Sequence, residues 1–180
     1  TEIYTLSLHD ALPILKTIRF FSIRKLFLTF ALMLSSAFLF AQTNFSGTWA
    51  FNESKSNFGE SQFRFAATTM VVTQDAKTLT VESTMPGRDG GEMKTTSKYN
   101  LDGSVSENPM FNTTRKSTVA WSADKSSITI TSTMTFERDG QSMEMKTTET
   151  WKLAEGGKML MVESVRPGRD GEMKTTVAYD

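Results

Sequence analysis

The 180-residue chain has no cysteine, and its single histidine is His9. From residue 10 onward it therefore offers neither an imidazole nor a thiol. Ser-His-Asp and Cys-His catalysis, zinc held by His or Cys, histidine-ligated haem and iron–sulfur chemistry are excluded together. Disulfides are excluded too, so the fold has to rest on a buried core, which a chain of about 140 residues can supply. Charge of one sign is also missing: 20 Lys and Arg balance 20 Asp and Glu. Such a balance gives no electrostatic basis for binding nucleic acid or anionic lipid. Helical periodicity is absent as well, because no segment longer than a few residues repeats its apolar positions at helical spacing.

There is one long apolar run, residues 26–40, preceded by Lys16, Arg19, Arg24 and Lys25 and followed by Ala41. A basic region, an apolar stretch and a small residue in that order read as a signal peptide over 15–41, cut near Ala41. A membrane helix needs ~20 apolar residues, whereas this run is shorter and is broken by Ser35 and Ser36. No cysteine stands at the cut for lipid attachment. Residues 1–14, TEIYTLSLHDALPI, resemble the translation of a common sequencing adapter and are set aside from the fold. The domain expected to fold is 42–180. Setting aside the four basic side chains above with Glu2 and Asp10 leaves it 16 basic and 18 acidic side chains.

What is present is a hairpin written three times. Thr80-Val81-Glu82-Ser83 passes through Pro86-Gly87-Arg88-Asp89-Gly90 into Glu92-Met93-Lys94-Thr95-Thr96. Residues 129–135 pass through Arg138-Asp139-Gly140 into Glu144-Met145-Lys146-Thr147-Thr148, and Val162-Glu163-Ser164 passes through Arg169-Asp170-Gly171 into Glu172-Met173-Lys174-Thr175-Thr176. Asp-Gly between alternating runs predicts a type I′ hairpin, in which both central residues need positive φ. Strands are expected near 45–52, 67–74, 77–85, 91–101, 114–122, 126–136, 142–153, 158–165 and 172–179. Up-and-down parity requires one more crossing between Gly103 and Thr113, where Pro109 marks an edge or a loop. Turns at 73–77 and 122–126 then share one end, and the Arg-Asp-Gly turns share the other.

Two faces separate. Ile128, Ile130, Met134, Phe136, Met143, Met145, Trp151 and Leu153 oppose a face of threonines, Glu144, Lys146 and Lys152. Ser83, Thr95, Ser97, Ser132, Thr147, Glu149, Thr175 and Glu163 fall on the apolar side in period-2 register. Inward hydroxyls at mid-strand suit a barrel that encloses a wet or ligand-filled cavity. A slip of one residue, which would return them to solvent, is the competing reading.

Asn44-Phe45-Ser46-Gly47-Thr48-Trp49 opens the first strand. It resembles the Gly-x-Trp start of the lipocalin and fatty-acid-binding protein superfamily, the calycins, in which that Trp plugs one end of the barrel. The last hairpin, with Tyr179 near the chain end, resembles the final strands of the fatty-acid-binding proteins. The F-S-G-T-W start is also similar to that of small secreted bacterial proteins described as lipocalin-like. The resemblance implies an all-β fold, an antiparallel up-and-down meander closing into a lipocalin-like barrel of about 8–10 strands. Two departures stand out. Residues 53–66 read as loop or a single helical turn, too short for the helix-turn-helix lid of the fatty-acid-binding proteins. Val177, two residues before Tyr179, stands where those proteins carry a carboxylate-binding Arg.

The candidate interior residues are Trp121, Trp151, Ser97, Thr147, Glu149 and Tyr179, with Trp49 as structural plug. Arg88, Arg138 and Arg169 form a candidate rim for steering an anion; each also has a neighbouring Asp with which it can pair. Glu149 and Glu163, if both face inward, could form an acid–base pair, although nothing in their spacing brings them together. The 11 methionines sit singly along strands rather than in Met-x-x-Met clusters, so gap filling explains them better than copper binding. A transmembrane barrel would carry Glu149 on its lipid face. The expectation is a secreted or periplasmic monomer that binds a small hydrophobic or amphipathic ligand without catalysis, cofactor or metal. The alternative is a filled barrel acting as an envelope or surface interaction module.

Overall fold

A computed structural model describes residues 42–180 except 60–63, 65, 88, 111, 139 and 169–170, and the backbone but not the side chain of Arg138. The adapter-like segment, the signal peptide and its cut near Ala41, Arg88 and Arg169 lie outside the described residues. Those from Gln42 to Asp180 form one compact unit.

Ten strands follow one another: β1 (Gly47–Asn57), β2 (Thr69–Gln74), β3 (Thr78–Pro86), β4 (Glu92–Asn100) and β5 (Ser106–Met110). Then come β6 (Thr113–Trp121), β7 (Ser127–Arg138), β8 (Gln141–Ala154), β9 (Met159–Gly168) and β10 (Gly171–Tyr179). The only helical element among the described residues is a 3-10 turn at Glu155–Gly157. Each strand pairs antiparallel with its sequence neighbour except β4 with β5, and β1 pairs with β10. The expected meander is therefore a nearly closed barrel, with its extra crossing at β5 and Pro109 on it.

The β4–β5 seam is zipped by side chains where a backbone ladder would otherwise run. Asn108 Oδ1 accepts the Lys98 amide at 2.7 Å, and Asn108 Nδ2 donates to the Lys98 carbonyl at 2.9 Å. Ser106 Oγ accepts the Asn100 amide at 2.7 Å. A carboxamide carries one acceptor and a pair of donors, so Asn108 bonds β4 as a peptide unit of a neighbouring strand would.

One end is corked. Gln74 accepts the Phe45 amide at 2.9 Å and donates to the Thr43 carbonyl at 3.0 Å, while the Thr43 amide reaches Lys125 O at 3.0 Å. This pins residues 43–46 across the barrel end and drives Phe45 into the core. There it stacks on Trp121 at 6.2 Å and meets the edge of Trp151 at 6.3 Å. Trp49 is buried beside it, its indole N–H donating to Phe45 O at 3.0 Å. The plug is thus Phe45 and Trp49 together.

Three expectations change. β1 runs on to Asn57 through an irregularity after Asn52, in place of a loop. Ser56 Oγ mends the gap by accepting the Ala178 amide at 2.9 Å and donating to Asn52 O at 2.6 Å. In the first hairpin, among the described residues, only Gly90 is left-handed (φ 81°); Gly87 O accepts from Gly90 N at 3.3 Å and Gly87 N donates to Gly91 O at 2.7 Å. That is a three-residue loop ending in left-handed glycine, so Asp89 is spared the positive φ a type I′ turn demands. Glu163 faces outward and pairs with Lys152, so no Glu149–Glu163 acid–base pair exists.

Candidate functional site

Above the aromatic cork the barrel is hollow. A cavity of about 580 Å³ is lined from below by Trp151, Tyr179, Tyr99 and Val162. Met85, Met93 and Met110 line it toward the hairpin ends, with Ser83, Thr95, Ser97 and Ser164 between. That volume lies within the ordinary range for small-molecule sites, ~300–1,000 Å³. The strands place these residues by alternation: Val81, Ser83 and Met85 share one face of β3, and they pair with Ser97, Thr95 and Met93 of β4.

Four of the six candidate interior residues meet here: Ser97, Glu149, Trp151 and Tyr179 line the cavity. Trp121 and Thr147 do not. Trp121 belongs to the cork, where its indole N–H is buried without a partner among the described residues. Thr147 stands opposite Ser132, whose hydroxyl is bonded to Ser117 at 2.8 Å in a small polar core contact. Of the expected rim, Arg88, Arg169 and the Arg138 side chain lie outside the described residues.

The cavity also holds cations that inspection of the sequence passed over. Arg115 of β6 and Arg166 of β9 both line it, with Lys94, against one acidic residue, Glu149. Alternation could have found both. Arg115 shares its parity with Ser117 and Val119, and Arg166 with Ser164 and Val162, all of them inward. An arginine at such a position is easily assigned to solvent because arginines are mostly exposed.

Arg115 crosses the seam from within. Its Nη2 donates to Ser97 Oγ at 2.7 Å and to the Tyr99 hydroxyl at 3.0 Å, both on β4. Its guanidinium carbon stands 5.9 Å from the Tyr99 ring centroid. Its Nε–H is buried and has no acceptor among the described residues. An unsatisfied buried donor costs about 1–3 kcal/mol, more for a charged group, so this edge of the guanidinium favours an anionic oxygen. Glu149 is turned away from that task, accepting the Trp151 indole N–H at 3.2 Å.

Both tyrosines are held neutral. Burial pushes Tyr179 up to about 12, helped by the negative charge of Glu149 and opposed by a bond to the Ala67 backbone. Burial also raises Tyr99, with the Arg115 cation opposing it. The site thus presents neutral phenols, hydroxyls, the cations Arg115, Arg166 and Lys94 and the carboxylate of Glu149 around an apolar volume. No group of three or more His, Cys, Asp or Glu able to hold a metal exists among the described residues. Set beside known proteins, the chain matches no family model and none of the curated proteins.

Proposed function

We propose that this protein is a secreted, lipocalin-like binder of a small amphipathic molecule, with an apolar body in the barrel and an anionic end at Arg115. The observation that carries the reading is the cavity of about 580 Å³ with the unpartnered Arg115 Nε–H in its wall. A filled barrel acting only through its surface would have no use for a hollow upper half or for a charged donor buried without an acceptor. The aromatic cork supports binding rather than passage, because it shuts one end and leaves the hairpin end for entry. Among the described residues the cavity lining carries one carboxylate, Glu149, which accepts the Trp151 indole N–H.

Native mass spectrometry of the purified protein tests the reading. It predicts a second species, heavier by one small molecule of defined mass, that collapses to the apo mass on mild activation. A clean apo mass, together with no uptake from a panel of anionic amphiphiles, would favour the surface module instead.

A further inference from the structure

Seven of the methionines that look scattered in the sequence gather at the hairpin end of the barrel: Met85, Met93, Met110, Met134, Met143, Met145 and Met173. Filling gaps in a core does not explain all of them. On the β7–β8 hairpin Met143 is 44 % exposed and Met145 36 % exposed, and Phe136 beside them is 36 % exposed. This hairpin is the longest in the fold. β6 pairs with β7 only as far as Met134, and β9 pairs with β8 only from Thr148, so the stretch beyond pairs with itself.

The register brings three thioethers to one face there. Met134 stands directly opposite Met145, and Met143 lies two residues along the same strand, diagonal to Met134. Directly opposed side chains have Cβ atoms ~5 Å apart and diagonal ones ~7–8 Å. A methionine side chain with three rotatable bonds easily closes those gaps. Thioether sulfur is a soft donor that selects Cu(I) and, by the same chemistry, Ag(I), over harder divalent ions. Residues 42–180 contain no histidine and no cysteine, so no stronger nitrogen or thiolate ligand competes for the metal within the domain.

We propose that Met134, Met143 and Met145 form a three-thioether site for a soft monovalent metal ion, Cu(I) or Ag(I), on the inner face of the β7–β8 hairpin. The site is independent of the cavity and of whatever the cavity holds. It was hidden in the sequence because Met134 and Met143 lie nine residues apart along the chain, and only the hairpin closes the distance. The Met143-Glu144-Met145 spacing places both sulfurs on one face of a strand, just as Met-x-x-Met does on a helix.

The test titrates the purified protein with Ag(I), and with Cu(I) kept reduced under argon, while the methionine methyl resonances are followed by NMR. The proposal predicts one equivalent bound, with the methyl signals of Met134, Met143 and Met145 shifting together and that of buried Met159 unmoved. Zn(II) should move none of them. M145L should weaken binding and the triple change M134L/M143L/M145L should abolish it, while M93L on the first hairpin leaves it intact. Leucine keeps the apolar volume, and the methyl shifts in the unaltered protein stand whether or not a variant folds. No shift at the three methionines, equal shifts at all methionines, or undiminished binding by a folded triple variant would overturn the site.

Discussion

Gly47 and Trp49 illustrate how a two-residue motif acquires its residue types. A Cβ on Gly47 would lie 3.3 Å from Trp49 Cε2, tighter than ordinary van der Waals contact, and 3.4 Å from Cζ2, at its lower edge. The indole cannot give way, since it is buried and its N–H is bonded to Phe45 O. Gly47→Ala should therefore destabilise the barrel by about 1 kcal/mol through overpacking, measured by chemical denaturation with the slope unchanged. Tyr179 supplies a pH dependence at the same scale. Its folded pKa, about 12, lies above the unfolded 10.0, so the neutral phenol is the form the fold favours. Its contribution is complete below pH 10 and is lost as pH rises toward about 12, with Tyr99 acting in the same direction. Alkaline melts monitored by tyrosinate absorbance should show stability flat up to pH 10 and falling above it. Ionisation of both Tyr99 and Tyr179 near pH 10 without unfolding would contradict the buried placement.

Among the elements, β5 is the one that a linear reading resolves least. Parity demanded a strand and Pro109 demoted it to an edge, and both expectations hold. What one strand's alternation could not reveal is that Ser106 and Asn108 bond across to β4, because that pairing is decided by how the sheet curls back on itself. Asn108→Ala removes two seam bonds and strands the Lys98 amide and carbonyl. The expected cost is about 1–3 kcal/mol, localised so that the Lys98 amide exchanges hydrogen much faster while the β7–β8 ladder keeps its protection. Unchanged exchange at Lys98 would refute the zipper. The turn at 122–126 gives the acid counterpart. Ser122, followed by Ser126, bonds the Asp124 carboxylate and holds its pKa at about 2. The sign is opposite to that of the tyrosine. The stabilisation is present above pH 3.8 and is lost as pH falls toward about 2, and Asp124→Ala should remove that acid dependence. The outward turn of Glu163 has an equally local cause: β9 carries apolar residues at both parities through Met159, Leu160, Met161 and Val162, so alternation alone does not fix its register.

For the whole molecule, the legible part was the ribbon and its two faces, because a single period-2 pattern repeats through every hairpin. The hollow was legible only in outline. Serines and threonines at inward positions pointed to a wet interior. The parity of Arg115 also placed it inward, yet its bonds to Ser97 and Tyr99 became visible only once β6 and β4 faced each other across the seam. The cork was half legible, as Trp49 from its motif and Phe45 only from the hydrogen bonds that draw residues 43–46 over the end. The cavity's function then turns on whether Arg115 discriminates between ligands. Trp151 lines the cavity, so its fluorescence reports occupancy directly. The decisive measurement is a fluorescence titration of the protein with a medium-chain carboxylate and with the alcohol of equal length, repeated on Arg115→Met. The account predicts one saturable site that holds the carboxylate roughly tenfold or more tighter than the alcohol, as a charge-assisted hydrogen bond of about 1.5–3 kcal/mol requires. The variant should lose that preference. Equal affinity for the two amphiphiles, or no saturable response to either, would contradict it.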